Sequence, residues 1–198
     1  MELTALILAG GQSSRMGRDK ALIPIEGTPL LLRVCETALQ CTDRVRIITA
    51  WPDRYRTLAP PKCQFIQEKA LVSDTGSKSP GPLVGFAQGL ACTQADWVLL
   101  LACDLPYLRA SLLQQWAQQL DQIPPDAIAL LPKHAKGWEP LCGFYRHHCL
   151  QSLEPFIQSG GRSFQAWLSQ QTVIEISDVD PKMLFNCNTP DDLQQLET

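Results

Sequence analysis

The stretch LILAGGQSSRMGRDKAL, residues 6–22, joins an apolar run to a loop that is rich in glycine and in positive charge. The apolar run ends at Gly10 and Gly11, and three cationic side chains follow, those of Arg15, Arg18 and Lys20. Glycine lets backbone N–H groups approach an anion closely, and a lysine and an arginine together can neutralise a triphosphate. The stretch therefore predicts a phosphate-binding loop after a buried strand. The alternative is a glycine turn whose arginines lie in solvent.

Two common nucleotide-binding patterns do not fit this loop. The pattern GxxxxGK[ST] requires a lysine after its second glycine, where the chain has Arg18 after Gly17. The pattern GxGxxG is broken because Gln-Ser-Ser follows the glycine pair directly. A nucleotide-binding loop of another type therefore remains.

Apolar and amphipathic stretches alternate along the rest of the chain. Short stretches rich in Leu, Ile and Val predict buried strands at residues 3–9, 44–50, 63–67, 96–103 and 126–132. Apolar residues at helical spacing predict helices at residues 28–39, 81–93, 109–120 and 147–158. The first helix is expected to have Thr28 as N-cap and Pro29 at its first position, and a last helix is predicted at 188–196 behind Thr189. This alternation predicts one α/β domain over residues 1–198 with a mainly parallel sheet.

Four residues lie just beyond the ends of predicted strands: Gly10, Thr49, Glu68 and Asp104. Because ligands of open α/β sheets bind beyond the carboxyl ends of the strands, we expect these residues to share one cleft. A carboxylate at the end of a buried strand needs a partner, so Asp104 predicts a metal site or a capped helix. The alternative is a cap of the turn before Pro106. Residues 71–82, rich in Ser, Gly and Pro, are predicted to form a mobile loop at the edge of the cleft.

Charge and composition exclude several classes of protein. The formal net charge of −3 provides no positive field for nucleic acid, and the N-terminal apolar run is too short for a signal peptide or a membrane span. The eight cysteines include no CxxC pair and are expected to be reduced thiols. We therefore expect a cytoplasmic protein that binds neither nucleic acid nor membrane.

Further segments share a pattern with the opening stretch. They are PGPLVG (80–85), LLACDLPYL (100–108), EPLCGFYR (139–146), GGRSF (160–164) and NCNTPDDL (186–193). In this order they resemble the motifs of molybdenum cofactor guanylyltransferases, the MobA family of nucleotidyltransferases, whose signature LAGGxSxRMGxDK is similar to residues 8–20. The resemblance covers nearly the whole chain. It implies a three-layer, Rossmann-like nucleotidyltransferase fold with a mainly parallel central sheet.

The resemblance also implies a set of site residues. Catalysis is assigned to Arg15, Lys20 and Asp104, and Asp104 is the residue expected to bind Mg²⁺. Contacts with GTP are assigned to Leu8, Ala9, Gly10, Gly11, Ser13, Lys20, Thr49, Glu68 and Asp104. Contacts with the molybdopterin acceptor are assigned to Arg162, Asn186 and Asn188, where the alternative for Asn188 is a turn residue. At two of the GTP positions the chain departs from the expected pattern, with Thr49 in place of asparagine and Glu68 in place of aspartate.

The reaction implied by the resemblance is the Mg²⁺-dependent transfer of GMP from GTP to molybdenum-molybdopterin, with release of pyrophosphate. Further partners that it implies are proteins of cofactor biosynthesis and the apo-molybdoenzymes. Three alternatives stay open at this point: a cytidylyltransferase for the same cofactor, a sugar-phosphate nucleotidyltransferase, and a carrier that delivers the cofactor without catalysis.

Overall fold

The computed structural model describes residues 1–10, 19–70, 81–187 and 192. Within these residues the strands are β1 (Leu3–Leu8), β2 (Pro24–Ile25), β3 (Thr28–Pro29), β4 (Val45–Thr49), β5 (Gln64–Gln67), β6 (Trp97–Ala102), β7 (Ala129–Leu131), β8 (Lys133–His134), β9 (Gly137–Trp138), β10 (Cys142–Arg146) and β11 (Val173–Glu175). The α-helices are α1 (Leu30–Leu39), α2 (Pro52–Tyr55), α3 (Pro82–Ala91), α4 (Ala110–Ala117), α5 (Leu150–Gln158) and α6 (Phe164–Leu168). Short 3-10 helices lie at Lys20–Leu22, Leu120–Gln122, His147–Cys149 and Pro181–Leu184.

A seven-stranded sheet forms the centre of the molecule, in the order β11-β7-β10-β6-β1-β4-β5. Strand β10 runs antiparallel to both of its neighbours, and the other pairings in this sheet are parallel. Apart from Thr4, the side chains of the central strands β1 and β6 are apolar, and almost all of them are buried because helices cover both faces of these strands. The predicted mainly parallel α/β fold is confirmed.

The helices form two layers, one on each face of the sheet. Helices α1 and α4 pack against the face that carries Ile7 and Leu99. Helices α3, α5 and α6 pack against the opposite face, which carries Leu6 and Val98. Neighbouring residues of one strand point to opposite faces, so the two apolar clusters share the same strands. This arrangement confirms the three-layer fold that the resemblance implied.

The predicted start of the first helix is wrong. Thr28 lies in β3, where it pairs with Ile25 of β2, and the helix begins only at Leu30. The turn between the two strands is Glu26-Gly27, and both residues have positive φ angles, of 51° and 79°. Two-residue hairpins favour this geometry because its twist matches that of the strands. Thr28 is therefore committed to the hairpin, and Pro29 takes the N-cap position without a side-chain cap.

The other predicted elements differ from the observed ones mainly at their ends. All five predicted strands are present, each shorter at one end or at both. Pro82, which the predicted 71–82 loop and the predicted 81–93 helix both included, is the first residue of α3, with Gly81 as its N-cap. Residues 71–80 and, apart from Asp192, the predicted last helix at 188–196 with its cap Thr189 lie outside the described residues.

Two further observations concern the cysteines and the length of the helices. All eight cysteines are free thiols, as expected from their spacing. None of the helices in the described ranges has the length and apolar character needed to cross a membrane.

Candidate active site

A cleft of about 310 Å³ opens at the carboxyl edge of the sheet, beyond the ends of β1 and β6. This volume lies at the lower end of the range for small-molecule sites. The lining residues come from the ends of strands β1, β4 and β6, from the 3-10 helix at Lys20, from the segment after β5, from the start of α3 and from the residue before β10. They are Leu8, Ala9, Gly10, Asp19, Lys20, Ala21, Ile48, Glu68, Gly81, Pro82, Gly85, Ala102, Cys103, Asp104 and Leu141. The cleft therefore lies where an open α/β sheet binds its ligands.

The floor of the cleft is backbone at the end of β1. The Ala9 N–H donates to the Ile48 carbonyl at 2.9 Å, and the Leu8 carbonyl accepts from the Cys103 N–H at 3.2 Å. These bonds hold the end of β1 between β4 and β6. Gly10 follows with a φ of +156°, a conformation that L side chains rarely adopt. The sequence places glycine here because the backbone turns out of the sheet at the cleft.

Lys20 and Asp104 meet inside the cleft. The Lys20 Nζ lies 3.3 Å from Asp104 Oδ2, and the two side chains are only 20% and 16% exposed. Burial raises the pKa of the Asp104 carboxyl, and the Lys20 charge opposes this rise. The site thus holds two partly desolvated opposite charges next to each other. An anionic ligand can bind the lysine, and a cation can bind the carboxylate.

Asp19 fixes the segment that carries Lys20. Its Oδ1 accepts from the Ala21 N–H at 3.2 Å and caps the 3-10 helix that begins at Lys20. Its Oδ2 accepts from the buried Tyr55 hydroxyl at 2.6 Å and from Arg54 at 3.3 Å, both on α2. Sequence reasoning did not assign this role, although Asp19 directly precedes Lys20 in the opening stretch. The network joins α2 to the lysine of the cleft.

Thr49 and Glu68, the two predicted GTP contacts that depart from the family pattern, differ in their positions. Glu68 lines the cleft, and its backbone N–H donates to the Thr49 carbonyl at 2.8 Å. Thr49 is fully buried and does not line the cleft, and its hydroxyl accepts from the Trp51 N–H at 3.2 Å. The alternation along β4 explains this, because Thr49 points to the same face as Ile47, whereas Ile48 points to the opposite face, which α3 covers and where the cleft opens. A contact of the Thr49 side chain with GTP stays a prediction.

Of the residues assigned to the acceptor, the two that the structure describes, Asn186 and Arg162, do not line the cleft. Asn186 donates to the Leu184 carbonyl at 3.2 Å, and the next residue, Cys187, donates its N–H to the Asp104 carbonyl at 3.0 Å. This segment therefore lies beside Asp104. Arg162 instead donates to the carbonyls of Ile157 and Gly161 at the end of α5, and it is absent from the described cleft lining. Gly11, Ser13, Arg15 and Asn188 lie outside the described residues.

Glu139 is a second carboxylate on the same side, which sequence reasoning did not single out. The Ala102 N–H donates to the Leu141 carbonyl, and continuing this antiparallel register brings Glu139 to the level of Asp104. The Glu139 side chain is 16% exposed and lies 3.6 Å from His134 Nε2. Burial raises the pKa of Glu139, His134 opposes this rise, and the charge of Asp104 adds to it. Its only sequence signal was its place in the EPLCGFYR segment.

The donor set of the cleft suits a magnesium ion. Mg²⁺ commonly takes one or two carboxylates from the protein and completes its shell with phosphate oxygens and water. Asp104 supplies such a carboxylate at the strand end. Across the described parts of the chain, no group of three or more His, Cys, Asp or Glu residues is arranged to hold a metal by itself. A cation at Asp104 would therefore take its other ligands from the substrate and from water.

Comparison with known proteins shows the family to which the chain is similar. Residues 5–173 match the family model described as the MobA-like NTP transferase domain. The chain is 57% identical to a probable molybdenum cofactor guanylyltransferase of Nostoc sp., over 98% of this chain and 90% of the relative. It is 44% identical to a probable molybdenum cofactor guanylyltransferase of Synechococcus elongatus, over 100% of this chain and 99% of the relative. The resemblance identified from the motifs is confirmed.

Solved structures give the same fold. Molybdopterin-guanine dinucleotide biosynthesis protein A from Archaeoglobus fulgidus superposes with a TM-score of 0.74 at 24% identity, covering 98% of this chain and 96% of that one. A cytidylyltransferase from Leptospira borgpetersenii superposes with a TM-score of 0.75 at 13% identity, covering 100% of this chain and 85% of that one. At these identities the likeness concerns the fold alone.

Proposed function

This chain belongs to the MobA-like NTP transferase family, and we propose that it transfers GMP from GTP to molybdenum-molybdopterin with release of pyrophosphate. The observation that carries this proposal is the Lys20–Asp104 pair in a cleft beyond β1 and β6. The identities to guanylyltransferases over nearly the whole chain support the choice of nucleotide and acceptor.

The nucleotide half of the reaction falls to residues at the end of β1 and around it. Lys20 neutralises the phosphates as a point charge, and Arg15 contributes a second cation. The backbone of Leu8, Ala9 and Gly10 lies along the ribose and base, and Glu68 accepts hydrogen bonds from the guanine. Gly11, Ser13 and Thr49 complete the proposed GTP contacts.

Asp104 is the residue that would hold Mg²⁺. When bound, the ion supplies positive charge to the α-phosphate region and to the departing pyrophosphate. The low exposure of Asp104 keeps bulk water from this carboxylate, and its neighbour Lys20 balances its charge in the absence of ligand.

The chemistry needs no nucleophile from the protein. An oxygen of the molybdopterin phosphate attacks the α-phosphorus of GTP and forms the new P–O bond, and the bond from the α-phosphorus to the bridging oxygen of the β-phosphate breaks. Pyrophosphate leaves with the electron pair of that bond. Catalysis then consists of holding the two phosphates in line and stabilising charge. Asn186, Asn188 and Arg162 are proposed to hold the acceptor.

The proposal also covers the domain organisation, the cellular location and the partners. We propose that residues 1–198 act as one nucleotidyltransferase domain, with the nucleotide bound by its N-terminal part and the acceptor by its C-terminal part. We further propose that the enzyme works in the cytoplasm, where proteins of cofactor biosynthesis and apo-molybdoenzymes would be its partners.

The test of this function is pyrophosphate release that depends on both substrates. Purified protein with GTP, Mg²⁺ and the molybdenum cofactor should release one pyrophosphate for each GMP attached to the cofactor. Omission of the cofactor should stop the release, and Asp104→Ala should abolish it. Guanylylation that persists in Asp104→Ala at the same Mg²⁺ concentration would contradict the assignment of Asp104. Cofactor that is bound but never modified by the wild-type protein would favour a carrier instead.

A further inference from the structure

We propose that helix α3 determines guanine selectivity, because Gly85 and Gln88 together set the position of the Glu68 carboxylate. Neither residue is expected to touch the reacting phosphates, so both are positioning residues. The inference rests on the proposed function in one respect, namely that Glu68 faces the base of the bound nucleotide.

Gln88 holds the chain next to Glu68. Its Oε1 accepts from the Lys69 N–H at 2.8 Å, and its Nε2 donates to the Lys69 carbonyl at 2.8 Å. On the other side, the Glu68 N–H donates to the Thr49 carbonyl at the end of β4, also at 2.8 Å. The backbone that carries Glu68 is thereby tied to the sheet and to α3, although β5 itself has already ended.

Gly85 leaves the space that the Glu68 carboxylate occupies. A Cβ at Gly85 would lie 3.1 Å from Glu68 Oε1 and 3.5 Å from Leu8 Cδ2. Gly85 precedes Gln88 by three residues, so the two share one face of α3. Both Gly85 and Glu68 line the cleft. One face of one helix therefore holds the backbone beside Glu68 and makes room for its side chain.

The chemistry of the bases makes this position decisive. A carboxylate only accepts hydrogen bonds, and guanine offers it two donors on one edge, the ring N1–H and the exocyclic 2-amino group. Adenine and cytosine each present an unprotonated ring nitrogen on that edge, which a carboxylate repels. Hypoxanthine keeps the N1–H and lacks the 2-amino group, so ITP reports on the second hydrogen bond alone. A displaced carboxylate loses that bond first.

The experiment compares GTP with ITP in the wild-type enzyme and in variants of α3. A site built to hydrogen-bond a substrate N–H rejects the analogue that lacks it, so we expect the wild type to prefer GTP by roughly tenfold or more in kcat/KM. In Gln88→Ala the preference should fall to about threefold or less, with KM for GTP raised and kcat within about twofold. Gly85→Ala should lower the preference in the same direction, and Gln88→Met removes the hydrogen bonds while retaining the length of the side chain.

A matched control exists on another helix. Gln165 of α6 makes the same pair of bonds to the backbone of Trp138, accepting at 3.1 Å and donating at 2.6 Å. Gln165→Ala should leave the preference for GTP over ITP unchanged, which separates loss of a backbone clamp in general from loss of this one. Glu68→Ala removes both acceptor oxygens and should abolish the preference, and thermal unfolding confirms that each variant is folded.

The outcomes separate the inference from the proposed function. If Glu68→Ala loses the preference while Gln88→Ala, Gln88→Met and Gly85→Ala keep the wild-type value, α3 does not set selectivity. If Glu68→Ala keeps it too, Glu68 does not face the base, and the inference fails while GMP transfer stands. If the wild type transfers no GMP, the proposed function fails, and the inference is then tested by equilibrium binding of GTP and ITP to the same variants.

Discussion

The ammonium group of Lys20 lies 3.3 Å from the carboxylate of Asp104, although 84 positions separate the two residues in the chain. The contact joins the segment after β1 to the end of β6, and these two strands are neighbours in the sheet. In the absence of ligand each charge neutralises the other at a partly desolvated site. A triphosphate and a cation can replace these partners without leaving either charge unpaired.

Removal of the Lys20 charge should affect catalysis strongly. We expect Lys20→Ala to lower kcat/KM for GTP by about 100-fold or more, since a charge aimed at transferring phosphates acts mainly in the transition state. Lys20→Arg should recover only part of this loss, because the planar guanidinium cannot reproduce a point charge. The control is Lys62→Ala, which removes a lysine paired with Asp43 at 3.8 Å outside the cleft. Equal kinetics for Lys20→Ala and the wild type would contradict the role of this residue.

Asp104 should carry a cost in stability that depends on pH. A carboxyl whose pKa is raised in the folded state binds its proton more tightly there than in the unfolded chain. The folded state then holds more protons, so its stability falls as the pH rises from the ordinary pKa of 3.8 through the raised value. Asp104→Asn removes this titration, and the variant should gain unfolding free energy relative to the wild type across that window.

Urea unfolding of both proteins between about pH 3.5 and pH 7 measures this difference. The Asn variant is expected to be inactive, and its unfolding free energy relative to that of the wild type should rise as the pH increases over this range. A difference in unfolding free energy that stays constant over the whole range would show that burial does not raise the pKa of Asp104.

Tyr55 should influence GTP through Asp19. Tyr55→Phe removes the hydroxyl that donates to Asp19 at 2.6 Å, and the loss of one buried hydrogen bond to a carboxylate costs about 1 to 2 kcal/mol of stability. Because Asp19 caps the turn that carries Lys20, kcat/KM for GTP should also fall, by about threefold to tenfold. Tyr145→Phe is the matched control, since its hydroxyl donates at 2.8 Å to the Pro140 carbonyl. The Tyr145→Phe variant should lose a similar free energy of unfolding while its kcat/KM for GTP stays unchanged.

Asn186 should act on the acceptor alone. Its neighbour Cys187 donates its N–H to the Asp104 carbonyl, which brings this segment beside the residue that we propose to hold Mg²⁺. Asn186→Ala should raise KM for the molybdenum cofactor by about fivefold, the loss of roughly one hydrogen bond, with KM for GTP within twofold of the wild type. Steady-state kinetics with each substrate varied in turn provide the test. An increase in KM for GTP of the same size would place Asn186 in the nucleotide half.

The sequence predicted β1, β4, β5, β6 and β7 because their apolar runs need no tertiary context to be identified, but it did not predict the parallel edge strand β11. It did not predict β10, whose residues CGFYR include a glycine and form a strand by pairing between β6 and β7. Thr28 was misassigned because a helix cap and a hairpin position favour similar residues. Local patterns describe each element, whereas these outcomes depend on which neighbour supplies the hydrogen bonds.

Part of the candidate site could likewise be predicted from the sequence, and part could not. Gly10, Glu68 and Asp104 could be placed at one edge because the ends of parallel strands converge there. The orientation of Thr49 depends on the register of β4, in which a shift of one residue exchanges the two faces of the sheet. Lys20 and Asp104 are far apart in the chain, and Gln88 and Lys69 follow no repeating pattern. The spacing of residues alone therefore could not predict the contact of Lys20 with Asp104 or the hydrogen bonds of Gln88 to Lys69.

The most direct test of the central claim is to identify the nucleotide that the enzyme attaches to its acceptor. The purified protein is incubated with Mg²⁺, the molybdenum cofactor and each of GTP, CTP, ATP and UTP in turn, and the modified cofactor is analysed by mass spectrometry. Attachment of GMP, with little or no product from the other three nucleotides, is the predicted result. Equal or faster attachment of CMP would contradict the guanylyltransferase assignment.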